Sequence, residues 1–136
     1  KAVPVFTDFL NECEDTFDIT LKVIFGLRTF DEQAAIYAKG RTAPGPVVSN
    51  AKPGYSFHNY GLAIDIAELK DGKISWNVKY EQFKPISDKY KLKWGGTFKS
   101  LVDKPHYELS FGFTIRELFE KYKNKDFIPG TKYLNL

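Results

Sequence analysis

Phe6, Phe9, Leu10, Cys13 and Phe17 recur at helical spacing, which predicts an amphipathic helix over 4–16. Along 18–27 the pattern changes period. Ile19, Leu21, Val23 and Phe25 alternate with Thr20, Lys22, Ile24 and Gly26, as in a strand. A second helix is predicted over 30–39, because Thr29 and Glu32 have capping-box spacing and Gly40 suits a helix stop. Arg28 falls at the junction between the two elements. Residues 41–57 hold three prolines and two glycines and read as a long loop. A loop of that length inside a compact domain is usually functional or disordered.

"LAIDIA" at 62–67 predicts a short strand, and "DGK" at 71–73 a turn. Tyr80, Phe83, Ile86 and Tyr90 give 79–90 helical spacing, with Pro85 as the point of break or restart. "LKWGG" at 92–96 and "HYELS" at 106–110 are two further short strands. Thr114 and Glu117 repeat the capping box, and Ile115, Leu118, Phe119 and Tyr122 form the apolar face of a last helix. From Asn124 onward no element is predicted. Helices and strands are mixed without regular βαβα alternation, so the class is α+β.

The chain has 136 residues, the usual size of one domain, and the expected unit is 1–136. That length buries a core without a disulfide or metal staple. Hydrophobic residues make up 43% and charged residues 27%, the balance of a soluble globular protein. The strongest apolar run, "LKVIFGL" at 21–27, is too short to span a bilayer and contains a lysine. Net charge is +3, but lysines alternate with acids, so no nucleic-acid stripe is expected. The single cysteine, Cys13, excludes an internal disulfide and reads as a small core residue. The chain starts at Lys1 and contains no methionine, so an upstream segment such as a signal peptide is expected to have been removed.

The chemistry concentrates around the only two histidines. His58 precedes Asp65 by seven residues, and Asp65 shares a strand face with Ala63 and Ala67, so its carboxylate has room around it. His106 and Glu108 share a face in the later strand, and Asp103 lies three residues before His106. Two imidazoles and a carboxylate suit a catalytic Zn²⁺, whose fourth position is left for water. Asp103 would then be the general base. Against this, isolated histidines near strand ends are more often surface or satisfied core groups, and a chain with 17 acids places carboxylates near them by chance. Residue types alone leave both readings open.

"SFHNYGLAID" resembles the Ser-x-His-x-x-Gly-x-Ala-x-Asp signature of the D-Ala-D-Ala carboxypeptidase superfamily of zinc peptidases. "LKWGG…DKPHYEL" resembles its second signature. The segment from "GLRTFDEQ" to "GLAID" is similar to L-alanyl-D-glutamate endopeptidases of phage endolysins and related wall enzymes. The likeness runs from about residue 26 to 110 in the right order. It implies a small antiparallel sheet with helices packed around it, and zinc held by His58, Asp65 and His106. It also implies Asp103 as the catalytic acidic residue, and Arg28 as the group that steadies the oxyanion or holds substrate. Ser56 and Gln33 match positions near substrate. The aspartate at 103 favours the endopeptidase branch.

The implied partner is the peptide stem of peptidoglycan, met by a secreted, periplasmic or lysis-associated monomer. Alternatives are a carboxypeptidase or dipeptidase of the same superfamily, a zinc-containing binding domain like the hedgehog signalling domain, and a non-haem iron oxygenase. Thr97 and Phe98 stand where the family pattern suggests Asp-Trp, and Tyr107 where phenylalanine is commoner. Neither departure is expected to touch a ligand. Ser56 could only open a turn, and Trp94 reads more simply as core than as a substrate platform. Glu108 is left open between orienting a ligand and simple exposure, and Tyr55 and Tyr60 flank the site.

Overall fold

The computed structural model describes all of residues 1–136. In chain order its main elements are α1 (Ala2–Phe17), β1 (Leu21–Phe25), α2 (Phe30–Ala38), β2 (Ala63–Lys70), β3 (Lys73–Ser75), α3 (Lys84–Lys89), β4 (Lys93–Trp94), β5 (His106–Glu108) and α4 (Ile115–Lys123). Short 3-10 turns cover Phe57–Tyr60, Tyr80–Phe83 and Gly95–Thr97. The α+β class and the small antiparallel sheet are both present. No helix is long and apolar enough to cross a membrane.

The chain's contacts gather into two compact units. The first holds residues 1–26 and 63–109. Its sheet runs β1-β2-β5-β4, with β3 also paired to β2, and all described pairs are antiparallel. Phe9 and Cys13 of α1 are fully buried, and the Phe9 ring lies 4.9 Å from that of Tyr107 on β5. Ile66, Ala67 and Phe83 complete this core. Each large apolar side chain removed from water there contributes roughly 1.5–3 kcal/mol. Cys13 is a core residue, and burial pushes its thiol pKa up to about 12.

The second unit holds residues 27–62 and 110–136. Its core is aromatic. Phe30 of α2 lies 4.5 Å from Tyr122 of α4 and 6.2 Å from Tyr60. Leu118, on the apolar face of α4, is fully buried. Thr29 and Thr114 both form the capping boxes that their spacing predicts.

Two expectations are sharpened and one is revised. The helical stretch over 79–90 divides at Pro85, the expected point of break or restart: a 3-10 turn is followed by α3, because Pro85 has no N–H and fits only a helix's first turn. The "DGK" turn closes a hairpin: Asp71 and Gly72 both have positive φ, and β3 pairs back on β2. The alternation along β1 is broken by a bulge between Val23 and Phe25, which leaves Phe25 exposed.

Candidate metal centre

Sheet register assembles the first half of the site. Asp65 on β2 stands directly opposite His106 on β5, and Ala63 opposite Glu108. Directly paired residues project from the same face. The space that the alanines leave beside Asp65 is therefore filled by His106 and Glu108. His106 Nδ1 lies 3.1 Å from Asp65 Oδ1, and Nε2 lies 2.8 Å from Glu108 Oε1. Glu108 thus orients the ring by its far nitrogen, as carboxylates do for ligand histidines. Burial alone would push the His106 pKa down. The hydrogen bonds and charges of Asp65 and Glu108 outweigh it and raise the pKa to about 9. Without a metal the group is an imidazolium donating from both nitrogens.

Asp103 is placed by the chain around "WGG". Its N–H donates to Gly95 carbonyl at 3.0 Å, and its carbonyl accepts from His106 N–H at 3.2 Å. A Cβ at Gly95 would sit 2.1 Å from the Asp103 carbonyl oxygen, so only glycine permits this approach. Trp94 is buried and donates its indole N–H to Lys104 carbonyl at 2.6 Å, pinning the same loop; it serves the core. Asp103 Oδ2 lies 3.9 Å from His106 Nδ1, and its side chain is half exposed. Phe98 corrects one expectation. The Gly95–Thr97 turn folds the chain back, and the Phe98 ring comes to 5.6 Å from that of His106. This departure from the family pattern does touch a proposed ligand.

His58 is carried by the 3-10 turn Phe57–Tyr60. Ser56 Oγ accepts from His58 N–H at 3.2 Å and caps the turn. Asn59 completes the capping box. Its Oδ1 accepts from the N–H groups of Gly54 and Ser56, and its amide donates to Arg28 carbonyl at 3.1 Å. Arg28 N–H donates to His58 carbonyl at 2.9 Å. Gly61, at φ 68, stops the turn in the left-handed conformation. Tyr60 turns inward and donates its hydroxyl to Gly54 carbonyl. Asn59 was not among the expected residues, although "SFHN" has the capping-box spacing that reveals it.

The donor atoms of His58, Asp65 and His106 all lie within 4.8 Å of one another, and both histidines are buried. This is a donor set with which Zn²⁺ is compatible: two imidazoles and a carboxylate, mutually close. Arg28 Nη1 donates to Gln33 Oε1 at 3.0 Å, and Gln33 is fully buried. Ser56 and Gln33 thus spend their described polar contacts on holding the site's backbone and Arg28.

Residues 49–109 match the family model described as D-alanyl-D-alanine carboxypeptidase. Over 102 residues the chain is 38% identical to the peptidoglycan L-alanyl-D-glutamate endopeptidase CwlK of Bacillus subtilis strain 168, covering 67% of this chain. It spans 61% of that relative's length. The fold resembles a D,D-pentapeptidase VanY variant from a VanB-type resistance cassette, solved with Zn(II). That match has a TM-score of 0.57 and 19% identity over 85% of this chain and 80% of the other. VanYB in complex with D-alanine-D-alanine gives a TM-score of 0.57 at 21% identity, over 91% of this chain and 81% of that one.

Proposed function

We propose that this chain, whose residues 49–109 match the family model described as D-alanyl-D-alanine carboxypeptidase, is a zinc-dependent peptidoglycan peptidase that cleaves the L-alanyl-D-glutamate bond of the wall peptide. The observation that carries the reading is the convergence of His58, Asp65 and His106 donor atoms within 4.8 Å. The 38% identity to CwlK supports the choice of bond. In this reading residues 1–136 act as one catalytic domain. The protein works as a monomer on wall material, as a secreted enzyme or a phage lysis protein.

His58, Asp65 and His106 would hold the zinc, and Glu108 would fix the His106 ring. Bound zinc supplies Lewis acidity toward a carbonyl and lowers the pKa of a water to about 7. Asp103 takes the proton of the attacking water on its carboxylate and returns it to the leaving amine. The cationic Arg28 offsets negative charge developing on the carbonyl oxygen. The half-exposed Asp103 has the access to solvent that this role needs.

The test is digestion of purified wall and defined stem peptides by the zinc-loaded protein, with mass spectrometry of the fragments. A new D-glutamate amino terminus is the expected result, and Asp103→Ala is expected to lower the rate by about 10²–10⁴-fold while zinc stays bound. Release of terminal D-alanine moves the protein to the carboxypeptidase branch. An inert zinc-loaded protein, unaltered by Asp103→Ala, marks a binding domain. Iron in the purified protein removes the zinc assignment.

A further inference from the structure

Gln33 is a polar side chain on α2 with no exposure to solvent. A buried carboxamide is costly unless its polar atoms are satisfied. Here they are: Oε1 accepts from Arg28 Nη1 at 3.0 Å, and Nε2 donates to Ala51 carbonyl at 2.8 Å and Ser49 Oγ at 3.3 Å. The amide fits in one orientation only. A guanidinium cannot accept a hydrogen bond and a carbonyl cannot donate one, so turning the amide over would break both contacts. Ser49 Oγ also accepts from Ala51 N–H at 3.0 Å, which closes residues 49–51 into a small turn around the amide.

The backbone of Arg28 is already clamped, its N–H on His58 carbonyl and its carbonyl under the Asn59 amide. Beyond the backbone the side chain reaches Gln33, whose Oε1 meets it at the guanidinium. A second clamp holds the same loop. Arg41 donates to Ser49 carbonyl at 2.9 Å and to Asn50 Oδ1 at 3.3 Å, with its guanidinium stacked 3.9 Å over the Tyr37 ring. Residues 49–51 therefore cannot shift without pulling on Gln33.

We propose that Gln33 is a positioning residue that aims the Arg28 guanidinium and couples it to the loop at 49–51. The proposal rests on the reading of Arg28 as a group that meets the substrate. It makes the loop a handle on catalysis: a substrate that displaces 49–51 alters the aim of Arg28.

The test is a double-mutant cycle on the zinc-loaded protein. Gln33→Leu is expected to lower kcat about 10–100-fold with little change in KM or zinc content. In an Arg28→Ala background the same substitution is expected to cost nothing further. Gln33→Glu keeps an acceptor for Arg28 but loses the donor to the Ala51 carbonyl, and is expected to recover only part of kcat. Ser49→Ala, which buries no new group, is the second variant should Gln33→Leu fail to fold. It is expected to lower kcat about threefold, again only when Arg28 is present. Equal losses with and without Arg28, or an unchanged kcat in a folded Gln33→Leu protein, overturn the proposal. Proton exchange at the Arg28 guanidinium, read by nitrogen-15 NMR, needs no activity. Faster exchange in Gln33→Leu supports the positioning role even if wild-type protein cleaves no stem peptide, which would sink the peptidase reading alone; unchanged exchange overturns the positioning role.

Discussion

His106 and His58 are set in place by different means. His106 sits in a strand, and its ring nitrogens face two carboxylates at 3.1 and 2.8 Å. His58 sits on a single 3-10 turn gripped through the backbone: its N–H by Ser56, its carbonyl by the Arg28 N–H. Strand register aims a side chain without caps, but two neighbouring carboxylates then set its protonation state. A capped turn aims a side chain by fixing dihedral angles, and no charge takes part in those backbone contacts. The strand region should therefore respond to charge and to steric intrusion, and the turn region to the loss of a cap.

The largest effect is expected at Gly95. In Gly95→Ala the new methyl meets the Asp103 carbonyl at 2.1 Å, and backbone there cannot yield cheaply. A destabilisation of about 3 kcal/mol, measured by urea titration, is expected. A Gly95→Ala protein of wild-type stability would show that the strand region is not rigid. Next comes Glu108→Gln, which keeps the shape but removes the charge behind His106. Zinc affinity, measured by competition with a chelator, should fall about 10–100-fold. An unchanged affinity would mean that register alone aims the ring.

The third expectation is a pH dependence on the strand side. The folded pKa of His106 is raised from 6.5 to about 9. In metal-free protein its stabilising contribution is therefore complete below pH 6.5 and is lost as pH rises through 9. The midpoint of thermal unfolding should drop by about 5 °C over that window. Glu108→Gln should shrink the drop, whereas Ser56→Ala should leave it intact. Saturating zinc should remove it, since metal and proton compete for the ring. The smallest effect is that of Ser56→Ala itself, about 1 kcal/mol from the lost cap, seen in urea titration. A Ser56→Ala variant with unchanged stability would show that Asn59 and Arg28 hold the turn without it.

The parts of the site that chemistry dictates were legible in the sequence. His58, Asp65 and His106 are residue types that ligation requires, and the alanines beside Asp65 marked the face that the register later fills. The helix ends were legible because Thr29 and Thr114 cap within their own turns. What depends on distant chain was not. Gln33 on a helix reads as a solvated residue, and only Ser49 and Ala51, sixteen and eighteen positions on, bury and satisfy it. Gly95 reads as a glycine that lets the backbone turn until the Asp103 carbonyl is seen against it. β3, three residues long, offers too little alternation to detect. The hydroxyl of Tyr107, where phenylalanine is commoner, is buried without a hydrogen-bond partner, so no polar role explains it.

Cys13 has no part in the proposed chemistry, yet its setting makes it a clock. It is the chain's single thiol and is fully shielded on α1, with its pKa pushed up to about 12 by burial. A thiol reagent can reach it only when α1 lifts from the sheet or the first unit opens. With a reagent that reacts faster than the unit recloses, the labelling rate reports the frequency of that opening, on unmodified protein and against a single chemical background.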